Sequence, residues 1–440
     1  MCAEEMGAWK DHVYRVGGEL RSFTVDELDE NQRTYKKEIE PWLSAVFQSE
    51  HLSLLLGSGF TTGVAVQSGA YSAAMPTNYE GFPYQEEIEA AARLAADKMG
   101  RGDANVEDQI RVVNALLEGM KIVPDNKYDE LKTALAKLMN DFLQSISKTE
   151  RDLLAAFLDE VSGSGINEGD VEQEGDDNKL DAFVMLVSFL LSFSSRSASR
   201  ERLNIFTTNY DRLIEFGADL AGLHVLDRFV GALEPIFRSS RLSIDMHYNP
   251  PGIRGEPRYL EGVVRLTKLH GSLDWKFKNG FVRKVGLPFG PIEEHPELTE
   301  ETADSVMIYP NSAKDRETSE YPYVELFRDY AAAVCRPNSA VVIYGYGFGD
   351  EHINRVLEDM LTIPSTHLVI ISFDTAGGRI ESFCKRVGRK SQISLLIGSH
   401  FGSMATLVDN YLPKPAIDRI SIKQTELLKN RTIPKTGDED

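Results

Sequence analysis

The chain has 440 residues and carries a formal net charge of −20 at pH 7. This length provides the mass of two to three domains and allows a large apolar core. Because binding to the phosphate backbone of nucleic acids depends on a basic surface, the acidic balance argues against direct recognition of DNA or RNA.

Cysteine usage and the first residues indicate the cellular compartment. Cys2, Cys335 and Cys384 are far apart and form no CxxC pair, so the sequence predicts neither a zinc module nor a disulfide framework. Met1–Lys10 is acidic and lacks the apolar stretch of a signal peptide. We therefore expect a cytoplasmic protein without membrane association.

Residues 1–48 are predicted to form an amphipathic helical segment. Thr24-Val-Asp-Glu27 fits a capping box, in which a threonine and a glutamate satisfy the N–H groups at a helix start. The segment is either an ordinary helical layer or an oligomerisation arm.

Five short apolar runs in the rest of the chain each end in a polar cluster. The runs are Leu52–Leu56, Leu203–Thr207, Val264–Leu269, Ala340–Tyr344 and Leu368–Ser372. The clusters that follow them are Gly57–Thr61, Thr208–Asp211, His270–Ser272, Gly345–His352 and Phe373–Asp374. Continuous apolar runs are typical of buried parallel strands, and open parallel sheets bind ligands at the carboxyl ends of their strands. We predict an α/β fold with a Rossmann-like, doubly wound, mostly parallel sheet, whose polar clusters meet in one nucleotide-binding crevice.

A helical subdomain interrupts the predicted sheet domain, which we place at residues 49–412. Apolar residues recur at helical spacing from Glu86 to Phe157, which is more helix than one crossover needs. We therefore expect an insertion over about residues 85–200. Within it, Ala182–Phe193 is too short to cross a bilayer and should form a buried helix or, alternatively, an oligomer interface.

Three further segments complete the predicted organisation. Ser162–Asn178 is rich in Gly, Asp and Glu and is expected to be a mobile acidic loop. Ile393–Ile397 is the last predicted strand, and a helix near Met404–Tyr411 should follow it. Residues 413–440 form a polar tail.

The first polar cluster is Gly57-Ser58-Gly59, followed by Phe60 and Thr61. Glycines at the end of a strand permit a tight turn and a close approach of the backbone to phosphate. Because only part of a GxGxxG fingerprint is present, an ordinary strand–turn–helix junction explains the cluster equally well.

The second and third clusters contain the candidate catalytic groups. Asn209 and Asp211, which follow Thr208, can hold a ribose or a water molecule; alternatively, they form the turn and cap the helix from Arg212. His270 can accept a proton near neutral pH, although a lone histidine is more often structural. Its position at a strand end, beside a glycine, favours the catalytic interpretation.

The last two clusters add candidate ligand contacts. Gly345 and Gly347 again permit close ligand approach. Asp350 or His352 either caps the next helix or contacts a ribose or phosphate of the same ligand. Asp374 either holds ribose hydroxyls or is a turn residue.

Taken together, the clusters resemble the sirtuin family. In that family a Gly-x-Gly turn binds the pyrophosphate of NAD, an Asn-x-Asp segment faces the nicotinamide ribose, and a histidine before a glycine acts as general base. Gly57-Ser-Gly59, Asn209-Tyr-Asp211 and His270-Gly271 match these motifs in type and in order. The resemblance covers the sheet core, about residues 51–63 and 203–397.

Two departures narrow the resemblance. Sirtuin deacylases usually carry a four-cysteine zinc module, which is absent here, and Thr208 replaces their glutamine before the asparagine. The motifs as they stand are similar to those of the sirtuin-like NAD hydrolases of bacterial anti-phage defence, as is Asn105-Val-Glu-Asp108. That similarity implies abortive infection, triggered through self-assembly into a homo-oligomer or through a partner such as a HerA-type ATPase, a short Argonaute or another phage sensor.

The resemblance also implies a mechanism. NAD would lie across the strand ends as the substrate, and no metal is predicted. Asn209 would orient the ribose or the attacking water, His270 would accept a proton, and Asp211 would position the Asn209 loop. The residues expected to contact NAD are Gly57, Ser58, Gly59, Phe60, Thr61, Thr208, Gly345, Gly347, Phe348, Asp350, His352 and Asp374. Water would release nicotinamide and leave ADP-ribose.

Three alternatives stay open at this stage. The first is a catalytically silent NAD or ADP-ribose sensor that acts within an assembly, and the second is an NAD-dependent protein deacylase. A Rossmann dehydrogenase is the third, and the incomplete glycine fingerprint argues against it. The sequence does not separate NAD from NADP.

Overall fold

The structure is a computed structural model that describes residues 9–25, 27, 32–73, 76–163, 182–195, 201–240, 244–249, 258–292, 295–299, 306–308 and 321–414. Its strands are β1 (His12–Arg15), β2 (Arg21–Phe23), β3 (His51–Leu56), β4 (Leu203–Thr207), β5 (His224–Leu226), β6 (Phe229–Val230), β7 (Ile236–Phe237), β8 (His247–Tyr248), β9 (Arg258–Tyr259), β10 (Val263–Lys268), β11 (Gly271–Lys278), β12 (Phe281–Lys284), β13 (Val306–Ile308), β14 (Ser339–Tyr344), β15 (His367–Ser372) and β16 (Ile393–Ile397).

Helices cover both faces of the sheet and form the insertion. They are α1 (Gln32–Phe47), α2 (Ser58–Ser68), α3 (Gln85–Lys98), α4 (Val106–Ile122), α5 (Tyr128–Gly163), α6 (Ala182–Ser194), α7 (Leu213–Leu220), α8 (Tyr323–Val334), α9 (Glu351–Met360) and α10 (Arg379–Val387), followed by short helical turns at Lys390–Gln392, Ser399–Gly402, Met404–Thr406 and Leu407–Tyr411. None of these described helices combines the length and apolar character that crossing a membrane needs.

The central sheet has the order β2-β1-β16-β15-β14-β3-β4-β10-β5. Every pairing from β16 to β5 is parallel, which confirms the predicted mostly parallel, Rossmann-like α/β fold. The five predicted strands are neighbours, and every residue of β14 is buried. A strand that is covered on both faces needs apolar side chains at successive positions, which is why these runs were recognisable.

The prediction that residues 1–48 form a helical segment is wrong for the first part of that segment. Residues 12–15 and 21–23 are strands: β1 pairs antiparallel with β16 and with β2, so that this hairpin extends the central sheet. All four residues of β1 are buried, and the Phe23 ring stacks on Tyr35 of α1 at 5.4 Å. Aromatic and β-branched side chains at an exposed sheet edge favour an added strand over a helix. The helical prediction holds for α1, and the Thr24 N–H donates to Glu27 at 2.8 Å, as a capping box requires.

Helices α2 to α6 lie between β3 and β4 in the chain. Helices α3, α4 and α5 share an apolar cluster that also contains Leu273, Val285 and Leu287 around the second sheet. Helix α6 is buried: Phe189 and Phe193 are fully enclosed and their rings contact Phe60 and Phe47. The buried-helix prediction for 182–193 is therefore confirmed.

A second, antiparallel sheet was not predicted. Its order is β13-β11-β12-β7-β6, and β11 begins at Gly271, directly after His270. Strands β6 and β7 span only two residues each, too few to show a period of two in the sequence. The predicted last strand is confirmed as β16, and helical turns follow at 399–411. Residues 164–178 of the predicted acidic loop and residues 415–440 of the predicted tail lie outside the described residues.

Candidate active site

The carboxyl ends of β3, β4, β10 and β14 surround a cavity of about 370 Å³. The sequence-predicted residues that line it are Ser58, Thr61, Thr208, Asn209, Asp211, His270, Gly347 and Asp350. Four of the five polar clusters thus meet at one crevice. The fifth, which follows β15, contributes no lining residue.

Asn209 is held in one orientation at the end of β4. Its side chain is nearly buried, with 6% exposed, and its Nδ2 donates to the Gly57 carbonyl and to Thr61 Oγ1, both at 3.0 Å. Its backbone N–H donates to Thr207 Oγ1 at 3.0 Å. Because both side-chain bonds use the amide NH₂ group, the polar atom that remains for a ligand is Oδ1, an acceptor.

Asp211 completes a chain of hydrogen bonds behind Asn209. Its Oδ2 accepts from the Thr61 hydroxyl at 2.8 Å, and its Oδ1 accepts from the Leu213 N–H at 3.1 Å. Thr61 therefore donates to Asp211 and accepts from Asn209. The carboxylate caps the start of α7 and at the same time fixes the hydroxyl that orients the amide.

A buried ion pair anchors this loop from the other side. Glu150 on α5 is fully buried and accepts from the Arg212 N–H at 2.8 Å and from Arg212 Nε at 3.1 Å. Arg212 also donates to the Leu287 and Pro288 carbonyls. The pair joins the helical insertion, the Asn209–Asp211 loop and the segment after β12. Sequence reasoning missed Glu150, because a single glutamate in a long amphipathic helix is ordinarily exposed.

The glycines predicted to approach phosphate are packed against each other. A Cβ on Gly57 would lie 2.5 Å from the Gly345 carbonyl oxygen, and one on Gly59 would lie 2.6 Å from Gly345 Cα. The Gly59 N–H donates to that carbonyl at 2.9 Å, and Gly345 has a positive φ of 65°. These glycines let the turns after β3 and β14 touch, and they shape the cavity from behind.

His270 stands where β10 passes into β11. Its side chain is 9% exposed, and its Nε2 lies 3.9 Å from Asp350 Oδ2. The imidazole of His352, in the first turn of α9, has its ring centroid 5.9 Å from that of His270 and packs edge-on against Phe327. Asp350 precedes α9, and its side chain makes no capping bond to that helix. His352 does not line the cavity.

The remaining predicted contacts lie away from the cavity. Phe60 is fully buried in the core. Phe348, with a positive φ of 54°, packs on Tyr346 and Phe383. Asp374 accepts from the Ala376 N–H at 2.7 Å and thus forms a turn, which was the alternative reading of this residue.

Two arginines that sequence reasoning missed line the cavity. Arg101 comes from the insertion, where it contacts the fully buried carboxylate of Asp108. Arg379 begins α10; its Nε donates to the Gly347 carbonyl at 2.6 Å and its Nη1 to the Gly100 carbonyl at 3.3 Å. Burial and the nearby positive charge of Arg101 lower the pKa of Arg379. Two neighbouring cations in a partly enclosed cavity favour an anionic ligand.

The Asn105-Val-Glu-Asp108 motif accounts for the position of Arg101. Asn105 and Asp108 form a complete capping box at the start of α4, with bonds of 3.0 and 3.1 Å. Asp108 also pairs with Arg111. Glu107, which lines the cavity, accepts from the Tyr210 hydroxyl at 2.9 Å. The motif was the sequence signal that this helix start belongs to the site.

Comparison with known proteins gives a match to a family model over part of the chain. No curated protein matches the chain. The family model of the SIR2-like domain matches residues 203–390, a range that contains Asn209, Asp211, His270 and Asp350. The first glycine turn and the helical insertion precede this range. The match and the mostly parallel sheet together show that this part of the chain is similar to SIR2-like domains, which often use NAD.

Proposed function

We propose that the protein hydrolyses NAD to ADP-ribose and nicotinamide. The observation that most supports this is the hydrogen-bond chain Asp211–Thr61–Asn209–Gly57, which holds an amide acceptor on the wall of a cavity that His270 also lines. A positioned acceptor and a nearby base are the groups that a glycosidic bond to nicotinamide needs for attack by water.

The reaction breaks the bond between ribose C1′ and the nicotinamide nitrogen. The bonding electrons leave with neutral nicotinamide, and positive charge develops on the ribose ring, as in glycoside hydrolysis. Asn209 Oδ1 accepts from a ribose hydroxyl or from the water molecule. The water oxygen bonds to C1′, and His270 accepts the proton that the water loses.

The same cavity offers groups that would bind the phosphates of NAD. Ser58 begins α2 at the cavity wall, and the N–H groups at a helix start attract phosphate. Arg101 and Arg379 line the same cavity and supply two guanidinium groups. We assign the diphosphate to the region between these guanidinium groups and the N-terminus of α2.

We favour hydrolysis over protein deacylation because the chain has too few cysteines for the zinc module of the deacylases. Deacylases frame the acyl-lysine groove with a four-cysteine zinc module, and this chain has three cysteines in all. Burial raises the pKa of the Cys384 thiol to about 11, so it stays protonated and is a poor metal ligand. A protein that binds NAD at this site without hydrolysing it would instead act as a nucleotide sensor.

The biological role we propose is that of an effector in anti-phage defence. It rests on the resemblance of Thr207–Asp211, His270–Ser272 and Gly345–Asn354 to sirtuin-like NAD hydrolases of that kind. Unrestrained loss of NAD would poison the host. Activity would therefore depend on assembly into a homo-oligomer or on a partner such as a HerA-type ATPase.

Product analysis separates these activities. Purified protein is incubated with NAD, with and without an acetyl-lysine peptide, and the nucleotides are resolved by chromatography. Without peptide, we expect wild type to release ADP-ribose and nicotinamide in equal amounts. The rate of release should be at least about 100-fold lower for Asn209→Ala and unchanged for Asn126→Ala, which replaces an exposed asparagine. Release of nicotinamide only with peptide would identify a deacylase instead, and NAD binding without products in every assembly state would identify a sensor.

A further inference from the structure

We propose that His270, Asp350 and His352 form a binding site for a divalent transition-metal ion, zinc above all, and that occupation of this site inhibits the enzyme. The inhibition rests on the proposed NAD hydrolysis, whereas the binding of the ion does not. The site lies at the edge of the cavity, between the end of β10 and the start of α9.

The geometry of the three side chains carries the proposal. One nitrogen from each imidazole and one oxygen of the carboxylate all lie within 4.8 Å of one another. A tetrahedral zinc ion with Zn–N bonds of about 2.1 Å separates its ligand atoms by about 3.4 Å. Side-chain rotations that shorten these separations would close the set around an ion.

Burial and charge fit a cation at this point. His270 is buried, and the Asp350 side chain is 14% exposed, so the attraction between carboxylate and ion is screened little by water. Asp350 is the N-cap residue of α9, yet it makes no side-chain cap bond. Its carboxylate is instead directed to His270, at 3.9 Å. A carboxylate oxygen within 4.8 Å of two imidazole nitrogens offers a metal ion a mixed oxygen and nitrogen ligand set.

The identity of the ligands selects the ion. Two imidazoles and one carboxylate suit zinc and its neighbours in the first transition row, whereas magnesium and calcium prefer sites made of oxygen. Three protein ligands leave the fourth zinc position open. Since His270 and Asp350 both line the cavity, an ion held by them would lie at the wall of the space assigned to NAD.

Occupation would have a direct chemical consequence. A histidine whose nitrogen lone pair is bound to a metal cannot accept a proton. In the proposed reaction, His270 is the group that accepts the proton of the attacking water. A bound zinc ion would therefore stop hydrolysis, and its removal by a chelator would restore it.

The test measures binding and inhibition separately. Protein treated with EDTA and freed of chelator is titrated with zinc by calorimetry, without NAD. We expect one ion per chain for wild type, and an affinity at least about 10-fold weaker for His352→Ala and for Asp350→Asn. His224→Ala, which alters an exposed histidine, should bind zinc as wild type does. Unfolding temperatures of all variants establish that they are folded.

Inhibition is then expressed relative to each variant's own rate without zinc. His352→Ala should need at least about 10-fold more zinc than wild type for half inhibition. No saturable zinc binding by wild type, or equal affinities for His352→Ala, Asp350→Asn and His224→Ala, would overturn the site. Zinc binding with the expected pattern in a protein that consumes no NAD in any assembly state, with or without a co-purified partner, would support the site and refute the hydrolase.

Discussion

Thr61 shows how a single residue can serve both structure and chemistry. Its hydroxyl has one hydrogen to donate, which goes to Asp211, and it accepts from Asn209. This direction of donation fixes which end of the Asn209 amide is turned to the cavity. The role of Asn209 in catalysis, as proposed, therefore depends on two residues that need not touch the reacting atoms.

The two cavity arginines lead to a prediction about substrate binding. Replacing Arg101 or Arg379 by glutamine should raise the KM for NAD by about 10- to 100-fold, because a hydrogen bond to a charged group contributes about 1.5–3 kcal/mol. The rate at saturation should change less, because the diphosphate is remote from the bond that breaks. Steady-state kinetics measure both quantities.

Arg93→Gln is the matched control for the arginine variants. Its side chain is 69% exposed on α3 and pairs with Glu89, so KM should stay as in wild type. A KM within twofold of wild type for both cavity variants would show that these arginines do not bind the phosphates. A KM raised only for NADP would place them at a 2′-phosphate instead.

At the scale of elements, the buried pair Glu150–Arg212 joins α5 to the loop after β4. Glu150→Gln leaves the Arg212 charge buried without its counter-ion. Removing one partner of such a pair costs about 3–5 kcal/mol, and we expect that loss in the free energy of unfolding from denaturant titration. Glu118→Gln, at a side chain 70% exposed on α4, should be neutral. A loss below 1 kcal/mol for Glu150→Gln would mean that water or another group replaces the pair.

The hairpin at the sheet edge predicts a dependence of stability on pH. Burial lowers the pKa of His12 in β1 below its ordinary value of 6.5, and burial likewise lowers the pKa of His367 in β15. His12 Nε2 accepts from the His400 N–H at 3.3 Å, a bond that a proton on Nε2 would remove. Below pH 6.5 the unfolded chain binds protons that the folded chain does not, so stability falls as pH falls and is fully present above 6.5.

Unfolding temperatures between pH 7.5 and 5.5 test this dependence. The decrease on acidification should be smaller for His12→Gln, in which the titrating group is gone, than for wild type. His224→Gln, at an exposed position, should keep the wild-type slope. Equal slopes for all three proteins would show that His12 is not held neutral by its burial.

For the whole molecule, sequence patterns predicted the elements that are buried on both faces. The runs of β3, β14 and β15 are apolar at four or more of six positions and those of β4 and β10 at three positions each, and each ends in a polar cluster, so their type and order were predictable. The β1–β2 hairpin was not, because strands of four and three residues give no clear period. Its conformation depends on pairing with β16, which is distant in the sequence.

The same distinction applies to the candidate site. Asn209, Asp211 and His270 directly follow strands, and the sheet alone brings them together. Glu150 and Arg379 lie on helices and Arg101 lies in the connection between α3 and α4, and only the packing of the insertion and of α10 against the strand ends places them at the cavity or behind it. No local pattern marks a helical arginine or glutamate as part of a site. Only the Asn105–Asp108 motif indicated that the insertion contributes to the site, because it resembles a motif of the sirtuin-like NAD hydrolases.

The central claim is most directly tested by NAD consumption and nicotinamide release over a series of protein concentrations, for wild type and His270→Ala, with a partner added where one co-purifies. We predict hydrolysis by wild type that rises faster than in proportion to concentration if assembly activates the enzyme, and a loss of at least about 100-fold in His270→Ala. Equal rates for the two proteins would contradict the assignment of His270 as the base. No hydrolysis under any of these conditions would contradict the hydrolase itself.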